Sequence, residues 1–358
     1  MKTKVFLSDE GFGHIVRQRA VIAELLKIKP ELDITLQTHQ HFNFAKENIK
    51  ATQFINRFNN IVWHKSANNS PDIEKMADYY SDYLKIASTY SEIETKENYD
   101  FLISDFVYEA FNIAEEKNIP SFGVAHFTWD WFFSKLYPSP VKSEVYDYFF
   151  KAAKSAKILF FPPFTPKEIL NHYKHNSVQV PLIVREDVKH KHWPETGNKK
   201  KILIMDSGAG LMKDSIMKAF MDKAMENSNY FFATSYTFPI SNSYTIPASD
   251  LLIDYVRDAD LVIGRAGFNT ISECLAARIP MLLISEAMNP EMEHNIIELM
   301  KERLGSFVGM KEFENNLCDF LNRFFDNEYE VLLKTIQQHQ IETTGAKVIA
   351  TKILDYVS

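Results

Sequence analysis

Cysteine is nearly absent: Cys274 and Cys318 are the only two in 358 residues. Two thiols exclude a disulfide framework and point to a reducing compartment. Neither stands at metal-ligand spacing from a histidine. No surplus of positive charge exists either, since 40 Lys and Arg face 47 Asp and Glu for a net charge of −7. With a pI near 5.9, general nucleic-acid binding is not expected. No apolar run approaches the ~18 residues of a membrane span. The amino terminus enters a strand without a secretory leader. The expectation is a cytoplasmic protein with no transmembrane segment, peripheral membrane contact being left open. Solenoid repeats and low-complexity tracts are missing. What is present is an ordinary globular composition, 46% hydrophobic, and a length that fits two domains.

The chain is organised around Asp258 to Asn295. Leu261-Val262-Ile263 reads as a buried parallel strand. Gly264-Arg265-Ala266-Gly267 turns the chain, and a helical pattern runs from about Phe268 to Ala277. Arg278-Ile279-Pro280, a strand from Met281 to Ile284, a polar loop and a helix opening near Glu291 follow. A glycine turn lets backbone approach a ligand, and the helix behind it offers free N–H groups and a positive dipole end. Asn269, Thr270 and Ser272 add short polar groups. Glu273, one turn in, is placed to accept bonds from two ribose hydroxyls. The competing reading is a structural βαβ unit with a capped helix, because one glycine turn is a weak motif.

The first half reads as a doubly wound α/β domain. Strands are expected at Lys4–Leu7, Asp33–Gln37, Ile61–Trp63, Phe101–Ile103, Pro120–Val124 and Ile158–Phe161. Ser8 to His14 reads as a loop and Ile15 to Lys27 as an amphipathic helix. Further helices are expected from Asp72 to Glu94, Phe111 to Lys117 and Ser143 to Ala156. Met76, Tyr79, Tyr80, Tyr83 and Leu84 recur at helical spacing and read as core-facing. Ligands of such sheets bind beyond the carboxyl ends of the strands, which gathers His14, Asp105 and His126 at one edge. Pro162 to Pro194 is proline-punctuated and reads as the crossing between domains. The basic run Lys189 to His192 within it reads as a solvated loop. Lys201–Met205 starts a second sheet, Ser207 to Gly210 forms a second candidate phosphate loop, and Tyr230–Thr234 is the next strand. The tail is helical. The domains are placed at 1–182 and 183–340, with 341–358 as a helix returning to the first.

The stretch ADLVIGRAGFNTISECLAARIPMLLI resembles the donor-site signature of GT-B glycosyltransferases, especially the peptidoglycan N-acetylglucosaminyl transferase and its relatives. Gly11-Phe12-Gly13-His14 with Arg17 resembles the GxGH loop of the same superfamily. Ser104-Asp105, His126-Phe127-Thr128-Trp129-Asp130 and Val180 to Arg185 are similar to the glycosyltransferase-like amino-terminal domain of plant arabinokinases. The resemblance implies a GT-B fold, two Rossmann-like doubly wound domains facing a central cleft. It also implies that the glycine turn and helix start hold the diphosphate of a UDP-sugar. Glu273 would hold the ribose, and the loop from Asn289 to Asn295 would approach the donor sugar. Glu291 stands where the family usually has glutamine.

Sugar transfer needs a base, a stabiliser of the departing diphosphate, and alignment. His14 is the candidate base, since an imidazole titrates near neutrality. The alternative is a helix-start histidine bonded to backbone. Asp105 either orients His14, binds an acceptor hydroxyl, or caps the next helix. Gly11, Gly13, Ser207, Gly208, Gly210, Arg265, Gly267, Asn269, Thr270, Glu273, Glu291 and Asn295 are the candidate donor residues. His126, Trp129 and Asp130 are the candidate acceptor residues, with interdomain packing as the rival account for the aromatic segment. No metal and no cofactor are expected: Asp258-Ala259-Asp260 has the letters of a metal motif but runs directly into a strand. The expected activity is inverting, metal-independent transfer from a nucleotide sugar to a glycan, lipid-linked or small-molecule hydroxyl. A nucleotide-sugar hydrolase of the pseudaminic acid pathway type and a noncatalytic sugar-nucleotide-binding module are the alternatives.

Overall fold

The computed structural model describes residues 1–9, 11–57, 72–94, 97–136, 138–139, 141–206, 212–226, 228–238, 240–247, 250–285 and 288–358. The expected strand Ile61–Trp63 and the loop Ser207 to Gly210 lie outside the described residues. The chain divides into two compact units, residues 1–185 with 342–358 and residues 186–341. Each is an α/β unit around a parallel sheet.

Unit 1 holds β1 (Lys2–Leu7), β2 (Asp33–Thr38), β3 (Gln53–Asn56), β4 (Phe101–Asp105), β5 (Ser121–Val124), β6 (Ile158–Phe161) and β7 (Ser177–Gln179). All pair in parallel in the order β3-β2-β1-β4-β5-β6-β7. The central strands are apolar without alternation because helices cover both faces. The third strand falls at Gln53–Asn56, a segment too polar to show as a strand by pattern. The helix Ile73–Glu94 turns Met76, Tyr80 and Tyr83 into an aromatic core with Phe133 and Phe149. The last helix, Gly345–Val357, buries Ile349, Ile353 and Leu354 in the core formed by Val5, Ile15 and Val21. Each such aliphatic side chain contributes about 1.5–3 kcal/mol. A Cβ on Gly345 would collide with the Pro181 carbonyl, so glycine permits this docking.

Unit 2 holds β8 (Lys200–Met205), β9 (Tyr230–Thr234), β10 (Ser243–Thr245), β11 (Leu261–Arg265), β12 (Met281–Ile284) and β13 (Ser306–Phe307). They pair in parallel in the order β10-β9-β8-β11-β12-β13. Its basic run is a loop with Lys189, His190 and His192 exposed, as the sequence suggests, and it is anchored to its neighbours. Lys189 N donates to Asp254 Oδ1 at 2.9 Å, and Lys191 pairs with Asp250. Asp254 lies in the short 3₁₀ stretch Leu252–Asp258, and Asp250 lies just before it. Asp258 itself accepts from Trp193 N and Lys201 Nζ, both at 3.0 Å, and Asp260 accepts from Lys201 N at 2.7 Å. The two aspartates of the metal-like triplet therefore tie the start of β11 to its neighbours.

Candidate active site

Strand order reverses in unit 1 between β1 and β4, where the loops leaving the two strands diverge and open sheets bind ligands. Leu7 and Asp105 are paired across that point. Gly11 has φ 85°, a conformation costly for any residue with a Cβ. The helix then starts at once and spans Phe12–Ile28. His14 and Gly13 consequently lie in its first turn, not on the loop read from the sequence.

His14, Arg17, Gln18, Asp105 and His126 form one buried network, none more than 7% exposed. His14 Nδ1 lies 2.8 Å from Asp105 Oδ1. Arg17 grips the same carboxylate with both prongs, Nη2 to Oδ1 at 2.6 Å and Nε to Oδ2 at 3.1 Å. Gln18 Nε2 donates to Oδ2 at 3.3 Å. Burial alone pushes the Asp105 carboxyl up, but the charges of Arg17 and His14 outweigh it and hold its pKa below the ordinary value. Asp105 is therefore a carboxylate, which only accepts. Where Asp105 accepts from His14 Nδ1, a neutral imidazole keeps its lone pair on Nε2. The 3.2 Å approach of Arg17 Nη2 to His14 Nδ1 is then a contact between two donors. Asp105 does not cap the following helix: that helix has no side-chain cap, and Val107 N is met by Ser104 Oγ at 2.8 Å.

The acceptor candidates separate. His126 joins the network, its Nδ1 lying 3.3 Å from Arg17 Nη1. Trp129 is 3% exposed and packs among Phe127, Phe132 and Phe133. It is core, not the open platform expected for a sugar ring, because the segment folds as a short helix, Trp129–Ser134, with its aromatics inward. Asp130 is buried beside Tyr108, whose hydroxyl donates to it at 3.4 Å. Burial pushes the Asp130 carboxyl up, only partly countered by hydroxyl donors.

Sequence reasoning underused the neighbours of His14. Arg17 was visible only as part of the glycine–histidine loop, yet it is the hub of the network. His41 precedes the helix Phe42–Asn48 and its Nε2 donates to Gly11 O at 3.0 Å. Burial first, and then the nearby His14, hold the His41 pKa below the ordinary value. Asp9 Oδ1 accepts from Thr38 Oγ1, His39 N and Gln40 N at 2.8–2.9 Å, tying the ends of β1 and β2 together. The available signal was polar residues directly after apolar strands.

In unit 2 the order reverses between β8 and β11. A Cβ on Gly264 would lie 2.9 Å from Met205 O, whereas one on Gly267 would meet nothing within 4 Å. Gly264 thus serves strand packing, and Gly267 leaves space at the start of the helix Phe268–Ala277. Asn269, Thr270 and Glu273 are half-buried in its first turns, and Arg265 ends β11. Ser272 is buried and donates to Phe268 O at 2.8 Å, so it faces its own helix. Asn295 is 1% exposed and its Nδ2 donates to Ala266 O at 2.9 Å; it braces the turn. Glu291, on the helix Pro290–Lys301, accepts from Phe268 N at 3.4 Å. A carboxylate thus already sits on one of the amides expected to meet a diphosphate. Asp206 Oδ2 accepts from Met212 N at 3.1 Å and Tyr236 Oη at 2.7 Å, which joins the end of β8 to Met212 and to the residues after β9. Among the described residues, no three His, Cys, Asp or Glu side chains are grouped to hold a metal ion.

Two parallel-sheet α/β units of this kind make the GT-B fold of glycosyltransferases. A glycotransferase of kitacinnamycin superposes with a TM-score of 0.71 at 13% identity, covering 100% of this chain and 99% of that one. A spinosyn rhamnosyltransferase complexed with thymidine diphosphate gives 0.65 at 12% identity, with both chains covered at 100%. At such identities the likeness establishes the fold. Residues 223–352 match the glycosyltransferase family 28 C-terminal domain. The chain is also 28% identical over 206 residues to the UDP-N-acetylglucosamine–N-acetylmuramyl-(pentapeptide) pyrophosphoryl-undecaprenol N-acetylglucosamine transferase of Staphylococcus aureus. That alignment covers 53% of this chain and 50% of the relative, so the chain spans about half the length of the curated relatives it matches. It is a GT-B chain resembling the peptidoglycan N-acetylglucosaminyl transferases. Among the described residues no helix is long and apolar enough to cross a membrane.

Proposed function

We propose that this chain is an inverting glycosyltransferase that moves a sugar from a nucleotide-sugar donor, UDP-linked, to an acceptor hydroxyl without a metal. The observation that carries this reading is the buried His14–Asp105 pair at the switch point of unit 1. His14 Nε2 takes the proton of the attacking hydroxyl while that oxygen displaces the diphosphate from the opposite face of the anomeric carbon. Asp105 holds the ring and stabilises the imidazolium that forms. In unit 2, the amides that open the helix Phe268–Ala277 meet the departing diphosphate, with Asn269 and Thr270 beside them and Glu273 on the ribose. Glu291 must then yield the Phe268 amide. The Staphylococcus relative, whose name carries UDP-N-acetylglucosamine, supports a uridine donor, and lipid-linked and small-molecule hydroxyls are the acceptor classes to try.

A hydrolase reading stays in play for one structural reason. The aromatic segment read as a candidate acceptor surface is core in the structure, which removes a platform that would favour a bulky acceptor over water: Trp129, Trp131 and Phe133 are all 6% exposed or less. The test is product analysis with UDP- and thymidine diphosphate-sugars, with and without acceptor hydroxyls, in EDTA. Transfer to a hydroxyl with inverted anomeric configuration supports the proposal. Sugar release to water regardless of acceptor selects the hydrolase. Activity lost in EDTA and restored by Mg²⁺ overturns the metal-free mechanism, and no turnover of any nucleotide sugar overturns both readings.

A further inference from the structure

Arginine never accepts a hydrogen bond and stays protonated. Arg17 Nη1 meets His126 Nδ1 at 3.3 Å, where, unlike at His14 Nδ1, the Asp105 carboxylate, already saturated by other donors, does not claim the nitrogen, and the imidazole nitrogen is placed to accept. A neutral His126 then carries its proton on Nε2. His14 is fixed the other way, because Asp105 accepts at Nδ1. One side chain lies between the two rings and in contact with the carboxylate, and it is 2% exposed.

We infer that Arg17 is a positioning residue that locks His14 and His126 in opposite tautomers, one histidine able to take a proton at Nε2 and the other able only to donate there. Its guanidinium reads three groups at once: both oxygens of Asp105 and Nδ1 of His126. A lysine could keep the charge but not the fork, because an ammonium is a point donor on a flexible stem. The bidentate grip also explains why the site is built on a buried ion pair. The carboxylate is oriented as well as neutralised, so its Oδ1 faces His14 in one geometry. The use of the arrangement rests on the glycosyl-transfer reading. There the His126 Nε2–H steadies an acceptor oxygen while His14 deprotonates it, and a mistaken tautomer at either ring removes a partner.

The tautomers can be read without substrate. Long-range ¹H–¹⁵N spectra of the full chain labelled with ¹⁵N-histidine, assigned with His14→Gln and His126→Gln, should show His14 protonated at Nδ1 and His126 at Nε2 at neutral pH. In Arg17→Lys the His126 signals should lose the single-tautomer pattern and average between the two forms, while His14 keeps its Asp105-directed form. Both rings in the same tautomer in the parent, or unchanged His126 signals in folded Arg17→Lys, would overturn the inference. Where turnover is measurable, His126→Gln, whose amide reaches toward the Nε2 position, should retain at least several-fold more kcat/KM than His126→Asn. The reverse ranking would also overturn it. A protein with no transferase activity would fail the proposed function and still give a decisive spectrum.

Discussion

The switch point of unit 1 presents a network of side chains, and that of unit 2 presents mainly backbone. Asp105 accepts from His14, Arg17 and Gln18, and the network is almost wholly buried. The other point offers a glycine with open space, a helix start, and half-buried Asn269, Thr270 and Glu273. A side-chain site of this kind is brittle, because each buried polar group depends on its partner. A backbone site tolerates side-chain change and is disturbed by added bulk or by competing charge. The comparison predicts that substitutions in the unit 1 network affect chemistry and stability together, whereas those at the open helix start of unit 2 affect binding alone.

The largest effect is expected at His14. His14→Ala should slow the chemical step by about 10²–10⁴-fold, the usual worth of a positioned base. Binding of UDP, assigned to unit 2, should be unchanged. Single-turnover kinetics and calorimetry on one preparation separate these quantities. Near-normal turnover per folded molecule ends the base assignment.

Asp105→Asn tests brittleness. Removing one member of a buried ion pair leaves Arg17 uncompensated, at a cost of about 3–5 kcal/mol. Because the folded pKa of Asp105 is depressed, its contribution is present above the ordinary carboxylate value of 3.8 and is lost as pH falls through the folded value. Denaturant melts of parent and variant should therefore differ most near neutrality and converge in acid. A constant gap across that window would show that the ionised carboxylate is not what stabilises the parent.

The two sites were unequally legible in the sequence. Strand, glycine turn and helix around Leu261–Ala277 follow from local pattern, and the structure has the strand at Leu261–Arg265 and the helix at Phe268–Ala277. The unit 1 network was only partly readable, since Arg17 and Asp105 are 88 residues apart and their pairing comes from the β1–β4 register. Periodicity reports which face is apolar, not which polar groups meet at a sheet edge. That is also why the burial of Trp129 and Asn295 was not legible. Each belongs to a segment whose burial is decided by tertiary packing.

Glu273→Ala is the next effect in size. If the carboxylate holds ribose hydroxyls, its loss removes a charged hydrogen-bond partner, about 1.5–3 kcal/mol. UDP affinity should fall roughly 10- to 100-fold with an unchanged melting temperature. Unaltered affinity in calorimetry removes Glu273 from the donor site and leaves the helix start to be tested by its glycines.

The sharpest test of the backbone site comes from two glycines three residues apart. A Cβ at Gly264 would press on the Met205 carbonyl at 2.9 Å, so Gly264→Ala should destabilise the fold by about 1–3 kcal/mol, the range for overpacking. Gly267 has φ −76° and an open surround, so alanine there should shift stability by less than about 0.5 kcal/mol. The same methyl would stand where a diphosphate must approach the helix amides, so nucleotide affinity should drop although the fold does not change. Thermal melts and UDP titrations of both variants decide the matter. If Gly267→Ala binds UDP as the parent does, the space beside that helix start is not the diphosphate site, and the stretch Ser207 to Gly210 becomes the place to look.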